Sequence, residues 1–371
     1  MAEKGKSLGE LAKAKFKKDK AAVFGLLVII IAILMAILGP IITPDGSPNA
    51  NRQIIELTAK KPGSTFTFLK IPRATVEVVG FMDRLMNGKP EGFTWIPIHS
   101  YSFQNDSLSI EKFTGDTPND GEIVSYPISK FGALTEADID KQLIQSQTYW
   151  LGTDRFGRDL LSRMILGTRI SLSIGFVAVG ISLLIGILLG SLAGFFRGWI
   201  DDVVMWFVTV VWSIPLLLLV IAITLAMGKG FWQVFVAVGL AMWVEVARIV
   251  RGQILGIREK EYVEACRALG YSGFRTIFRH ILPNILGPVI VISAANFAAA
   301  ILIEAGLSFL GIGAQPPIAS WGGMIKDHYG YIIMDKAYLA VIPGAAILFM
   351  VLAFTLVGNG IRDALDVKGT S

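Results

Sequence analysis

The sequence predicts an all-α integral membrane bundle of six transmembrane helices, with an extracytoplasmic, mostly β insertion between helices 1 and 2. Three observations lead there: six long apolar runs nearly free of charge, a lopsided distribution of lysine and arginine between the loops, and one polar, breaker-rich stretch. Of the 371 residues 53% are hydrophobic and only 17% charged, where soluble domains have about a quarter charged.

The apolar runs cover residues 21–43, 170–196, 203–228, 230–250, 281–303 and 337–361. Each can cross ~30 Å of hydrocarbon at ~1.5 Å per residue. The fourth reaches full length only by including Glu245 and Arg248, which are three apart on one helical face and are expected to pair near the water boundary. Pro215 and Pro343 fall inside runs and are expected to kink them.

Orientation follows the short basic loops. Lys4, Lys6, Lys13, Lys15, Lys17, Lys18 and Lys20 precede the first run, so residues 1–20 read as a cytoplasmic tail. No small-residue cleavage site follows "LGPIITPDG", so the run reads as a retained anchor. Six crossings return residues 362–371 to the cytoplasm. Arg251, Arg258, Lys260, Arg267, Arg275 and Arg279 fall on that side, against Lys229, Lys326 and Lys336 on the other. The net charge of +5 is thereby topological, and no nucleic-acid partner is needed.

Residues 44–150 open with the turn formers "TPDGSPN". The β-prone pieces "STFTFLKI", "ATVEVVGF" and "FTWIPI" lie between breakers, predicting a small extracytoplasmic domain. It has no cysteine; Cys266, the single one in the chain, reads as a packing residue. Glu136, Asp138 and Asp140 read as the start of a solvated helix. Residues 151–169 read as an amphipathic segment at the outer interface, burying Leu160, Leu161, Met164 and Ile165 and leaving Arg158 and Arg163 among headgroups.

Between the fourth and fifth runs lies "EYVEACRALGYSGFRTIFRHILPN", a basic helical elbow spanning 251–283. A first helix is expected over 261–269 with Tyr262, Cys266 and Leu269 on one stripe. Gly270 ends it in a left-handed cap. Ser272 caps a second helix over 274–282, with Phe274, Ile277, Phe278 and Ile281 on its apolar side. Pro283 then leads into the fifth span. A stiff knob of this kind suits a socket on another protein.

Here the chain resembles a known family. "EACRALG…HILP" is similar to the cytoplasmic loop of permease subunits in ATP-binding-cassette importers, with Glu264, Ala265, Gly270, Leu282 and Pro283 in register. Cys266 stands where a second alanine is usual, and His280 where isoleucine is usual. "FKKDKAAVFGLLVI", "LGTDRFGRDLLSRMILGTRISL", "LSFLGIGAQPPIASWGGMI" and "GNGIRDALD" resemble the C-type permease of oligopeptide, dipeptide and nickel importers. Residues 44–150 carry no resemblance.

The resemblance implies the type I importer permease fold over residues 167–361. It also implies a homologous B-type permease, two ATPase subunits that bind ATP and magnesium, and an extracytoplasmic peptide-binding protein or lipoprotein, in the lipid of a bacterial inner membrane. The coupling residues would be Glu264, Ala265, Cys266, Gly270, Leu282 and Pro283. No G-x-x-x-x-G-K-[ST] loop is present in the chain, so no cofactor or enzymatic activity is expected of it. Glu304, Asn296 and Arg169 are candidates for the pathway or its gate; Asn296 also reads as helix–helix glue. Di- and oligopeptides lead as solutes, followed by nickel chelates and peptide-like antibiotics. The competing class, an ion-driven secondary transporter, calls for inverted repeats and acids at mid-membrane.

Overall fold

The computed structural model describes residues 8–73, 79–115, 117–228 and 230–365. Lys4, Lys6, Lys229 and most of "ATVEVVGF" fall outside them.

A basic helix α1 (Leu8–Lys18) precedes α2 (Lys20–Ile42), which is capped by the Asp19 carboxylate on the Ala21 and Ala22 N–H groups. The sheet domain follows: β1 (Ser64–Pro72), α3 (Phe81–Asn87), β2 (Phe93–Gln104), β3 (Ser107–Lys112), β4 (Ile123–Pro127), α4 (Glu136–Leu143) and β5 (Ile144–Tyr149). The strands form one antiparallel sheet in the order β4-β3-β2-β1-β5. Adjacent residues of a strand point to opposite faces, and this sheet buries both. Leu69 packs with Ile98, Leu108, Ile110, Ile139 and Leu143 on the face covered by α4. Phe68 packs with Ile54, Leu57, Phe113 and Tyr149 on the other. Thr135 and Asp138 form a reciprocal capping box at the start of α4, which is why "LTEADID" begins a helix. Phe81, read from sequence as the end of a strand, instead begins α3.

The membrane bundle comprises α5 (Leu160–Phe196), α6 (Gly198–Trp212), α7 (Leu216–Met227), α8 (Phe231–Ile257), α9 (Glu261–Ala268), α10 (Gly273–Thr276), α11 (Leu282–Phe309), α12 (Trp321–His328) and α13 (Tyr338–Leu365). Five helices are long and apolar enough to cross a membrane, counting 273–309 as one, and α6 with α7 makes a sixth crossing bent by 92°. Arg251 at the far end of α8 pairs with Asp201 at the start of α6 (2.6 Å). The α6–α7 pair therefore begins at the end where α8 finishes and crosses between the two faces. Pro215 accounts for the break: it lacks the N–H that would continue α6 and becomes the cap of α7. Pro343, by contrast, lies inside an unbroken α13. A Cβ on Gly360 would meet Ala22, Asp19 and Phe16, so both described ends of the chain lie at one face.

Helices α5 and α8 pack closely because glycine recurs every fourth residue. A Cβ on Gly186 would lie 2.5 Å from Val246, and one on Gly190 2.5 Å from the Ala247 carbonyl. Such spacing lets helix backbones approach in lipid.

Two expectations are corrected. Residues 160–169 form no separate interfacial helix, because nothing between Leu160 and Phe196 breaks the run. They are the first turns of the 37-residue α5, which at about 55 Å is too long for the hydrocarbon alone and projects beyond it. Likewise the second elbow helix is continuous with the fifth span. A π-turn over Ile277–Ile281 joins α10 to α11, with the Leu282 N–H bonded to the Ile277 carbonyl. The widened turn absorbs Pro283, whose ring would strike the carbonyl four residues back in a regular helix.

Candidate functional site

The elbow is built by local rules. α9 ends in a Schellman cap: the Gly270 N–H donates to the Arg267 carbonyl (2.9 Å) and the Tyr271 N–H to that of Cys266 (3.0 Å), with Gly270 at φ +74°. The Ser272 hydroxyl then accepts from the Arg275 N–H (3.3 Å). The buried stripe differs from the expected one. Val263 is buried in a cluster with Phe195, Ile254, Ile277 and Ile281, and Cys266 is buried on the same edge, while Tyr262 is exposed and Leu269 is 70% exposed. Helix α9 seats on its 263/266 edge because the polar Glu264 and Arg267 flank it. Tyr262, Leu269, Phe274 and Phe278 are left outward. Glu264 and Ala265 are exposed beside them, Pro283 is exposed and Leu282 half-buried.

Of the three pathway candidates, Glu304 and Asn296 are buried and Arg169 is half-buried. Glu304 is 2% exposed and accepts from the Ser308 hydroxyl (2.6 Å). That hydroxyl also accepts from the Ala314 N–H (3.3 Å), so the carboxylate organises the turn that follows α11. Asn296 is equally buried, and its Nδ2 has no partner among the described residues. Arg169 is spent on carbonyls: its Nε donates to Ala36 (2.9 Å), one terminal nitrogen to Met86 (2.7 Å) and the other to Leu85 (3.0 Å). It ties α5 to α2 and to the C-terminal turn of α3.

A further correction concerns Arg158 and Arg163, expected among headgroups. Both are buried, with Asp154 fully so. Asp154 pairs with Arg158 Nε (2.6 Å) and Arg163 Nε (3.6 Å), and its other oxygen accepts from the Phe156 and Arg158 N–H groups. Arg158 also reaches the Asn51 side chain (2.9 Å), and Arg163 the carbonyls of Asn49 and Pro317. Buried guanidinium groups must be paired, and "TDRFGRD" supplies the acid. Next to them Asp159 caps α5 through the Ser162 N–H (2.8 Å); burial pushes its carboxyl up. His328 accepts the Arg155 N–H at Nε2 (3.3 Å) and approaches the Met324 carbonyl with Nδ1 (2.7 Å). Burial lowers its pKa. These groups join the sheet domain, α5 and α12. An acid and an arginine on either side of the turn-forming "RFG" were the available sequence signal.

The expected Glu245–Arg248 pair is absent among the described residues. Arg248 lies over the Trp212 ring at 3.6 Å. Glu245 is exposed and helps line a cavity of about 330 Å³ at the α6–α7 break, with Trp212, Pro215, Leu216, Leu219 and Met242. It lies six residues, about 9 Å, deeper along α8 than Arg251. Carboxylates within membrane helices face bundle interiors or water, not lipid.

With this geometry in view, two family models match. Residues 186–368 match the binding-protein-dependent transport system inner membrane component, and residues 7–58 the N-terminal TM domain of oligopeptide transport permease C. The glutathione transport system permease protein GsiD of Pectobacterium atrosepticum is 41% identical over 223 residues, covering 60% of this chain and 74% of the relative. The dipeptide transport system permease protein DppC of Bacillus subtilis is 39% identical over 241 residues, covering 65% and 75%. A solved inward-facing MetNI methionine ABC transporter aligns with TM-score 0.47 and 18% identity, over 56% of this chain and 97% of that one. The chain belongs to the family of binding-protein-dependent transport permeases, in the branch of the oligopeptide and dipeptide C-type subunits.

Proposed function

We propose that this protein forms half of the pathway of an ATP-driven importer for di- and oligopeptides. Its basic end, with both termini, faces the cytoplasm of a bacterial inner membrane. The observation that carries the reading is the elbow: an apolar knob of Tyr262 and Leu269 on a helix whose other edge is buried against the ends of α5, α8 and α11. A knob so seated moves as one body with three membrane helices, so a force applied to it reaches the bundle. An ATPase subunit would hold it in a groove, with Glu264 meeting a basic group at the rim and Gly270 fixing the turn. ATP and magnesium belong to that subunit, and a homologous permease and an extracytoplasmic binding protein complete the assembly. The family membership supports this set of partners, and the relatives' names support peptides as cargo.

Within the membrane, the wall of the pathway is the face bearing Glu245, Arg248 and the broken α6–α7 crossing. Broken helices in transporters line solute paths, since their free backbone groups require polar surroundings.

The test is co-purification and uptake. The wild-type chain should bring down a nucleotide-hydrolysing partner, and peptide uptake should stop when ATP is depleted while a proton gradient is kept. Leu269→Asp should lose the ATPase and the uptake while staying in the membrane. Uptake that survives ATP depletion but collapses with an ionophore would identify an ion-driven transporter and end this reading.

A further inference from the structure

The sheet domain carries a second feature, remote from the elbow and the α6–α7 break. Arg169 fixes the depth of α3. The same guanidinium binds the Ala36 carbonyl, six residues or about 9 Å inside the end of α2, and the Leu85 and Met86 carbonyls. The last turn of α3 is therefore level with the last turns of a membrane-crossing helix. On α3, Phe81, Met82 and Met86 are 69%, 65% and 67% exposed. Large apolar side chains at that depth suit a helix lying in the interface between headgroups and acyl chains.

Beside this helix opens a cleft of about 450 Å³ whose lining includes Arg52, Lys70, Arg73, Arg84, Lys89 and Trp95. Its counter-charge is small. Glu91 is the one carboxylate among the lining residues; it pairs with Arg52 and lies 3.7 Å from Arg73. Arg52 is also held by Asp45 (3.5 Å). Arg84, Lys89 and Lys70 have no acidic partner among the described residues. The Lys70 ammonium donates to the Gln145 amide oxygen and lies 4.3 Å from the centre of the Trp95 ring; the Arg52 guanidinium is 4.1 Å from the same ring. Two cations crowd one indole. Burial, and then the Arg52 charge, holds the Lys70 ammonium below the usual lysine range.

We propose that this cleft binds the phosphate headgroup of an anionic phospholipid in the leaflet on the sheet side, with Phe81, Met82 and Met86 set among its acyl chains. The surplus of cations selects a net negative headgroup over a zwitterionic one. The apolar helix at headgroup depth selects a lipid over a soluble anion. An acidic protein surface would answer the charge but leave the helix uncovered. Trp95 in the lining is a residue type that settles at membrane interfaces. Such a lipid would hold the sheet domain down beside the mouth of the bundle.

The test uses the full transporter in nanodiscs of phosphatidylcholine with added phosphatidylglycerol, read by native mass spectrometry after gentle release. The wild type should retain phosphatidylglycerol in preference to phosphatidylcholine. Lys70→Gln/Arg84→Gln/Lys89→Gln should weaken retention by about fivefold for each cation removed. Met82→Ser/Met86→Ser, confined to exposed side chains, should weaken it with all charges in place. Soluble glycerophosphoglycerol should not compete. Equal retention by wild type and both variants would overturn the proposal, as would full competition by the soluble headgroup. Unchanged lipid with loss of an extracytoplasmic protein partner in the triple variant would make the cleft a protein-docking site instead.

Discussion

Arg169 donates its Nε–H to the carbonyl of Ala36, the group that Pro40 leaves without a helical donor. Pro40 lies inside α2, where its ring nitrogen has no hydrogen for the residue four earlier. A bare carbonyl at this depth is costly, and the guanidinium supplies the missing donor from the neighbouring helix. Arg169→Ala should destabilise the protein by about 1.5–3 kcal/mol, the range for hydrogen bonds to charged groups. Pro40→Ala restores the helix's own N–H, so in that background the same change should cost less. Thermal unfolding of the four proteins in one detergent measures the difference. Equal losses in both backgrounds would refute the link between the two residues.

Asp154 balances two buried arginines, so its removal leaves both uncompensated. Asp154→Ala is expected to cost roughly 3–5 kcal/mol, enough to release the sheet domain from α5 and α12. Limited proteolysis should then cut near residues 150–160, a segment that the wild type protects. Asp154→Asn keeps the shape but not the charge and should fall between the two.

His328 gives this junction a dependence on pH. Its Nε2 accepts the Arg155 N–H, which requires the neutral ring, and burial holds its pKa below the ordinary 6.5. The unfolded state then binds the proton more readily than the folded one. The contribution of His328 is complete above pH ~6.5 and is lost as pH falls through that value towards the lower folded pKa. The protection of the Arg155 amide against hydrogen exchange, taken relative to the intrinsic exchange rate at each pH, should therefore fall between pH 7.5 and 5. In His328→Gln, which cannot titrate, that fall should be much reduced.

Legibility in the sequence tracked the range of the interaction. Gly270 and Ser272 were readable because a cap involves residues two to five apart. Of the sheet, β1 and the start of β2 were readable as pieces bounded by breakers; β3, β4 and β5 were not, nor was the order that sets β1 between β2 and β5, which pairs residues about 80 apart. The charged junction was misread because Arg158 and Arg163 find partners near residues 50 and 317, and an arginine beside an apolar run otherwise reads as interfacial. The bonds of Arg169 went unforeseen for a similar reason: its partners are carbonyls, which a side-chain pattern does not display, and Pro40 was the overlooked sign. Glu245 was assigned to Arg248 by helical spacing alone; the bend at Pro215 brings Trp212 to Arg248 and leaves the carboxylate facing the cavity.

That carboxylate supports the last prediction. Glu245 lies on the long apolar helix α8 beside the broken crossing and has no ion pair among the described residues, which leaves its polar partners to water, to solute or to the homologous permease proposed above. A peptide's free ammonium is the cation that the proposed cargo brings. Glu245→Gln should lower uptake of free peptides by on the order of tenfold, the equivalent of ~1.4 kcal/mol, close to the lower end of the range for a charged hydrogen bond. Glu245→Asp should retain most of the rate. For an N-acetylated peptide, which lacks the ammonium, wild type and Glu245→Gln should transport at similar rates. If the variant slowed both peptides equally, the carboxylate would not be reading the amino terminus. If the variant failed to co-purify with the second permease, the counter-charge would lie on that subunit.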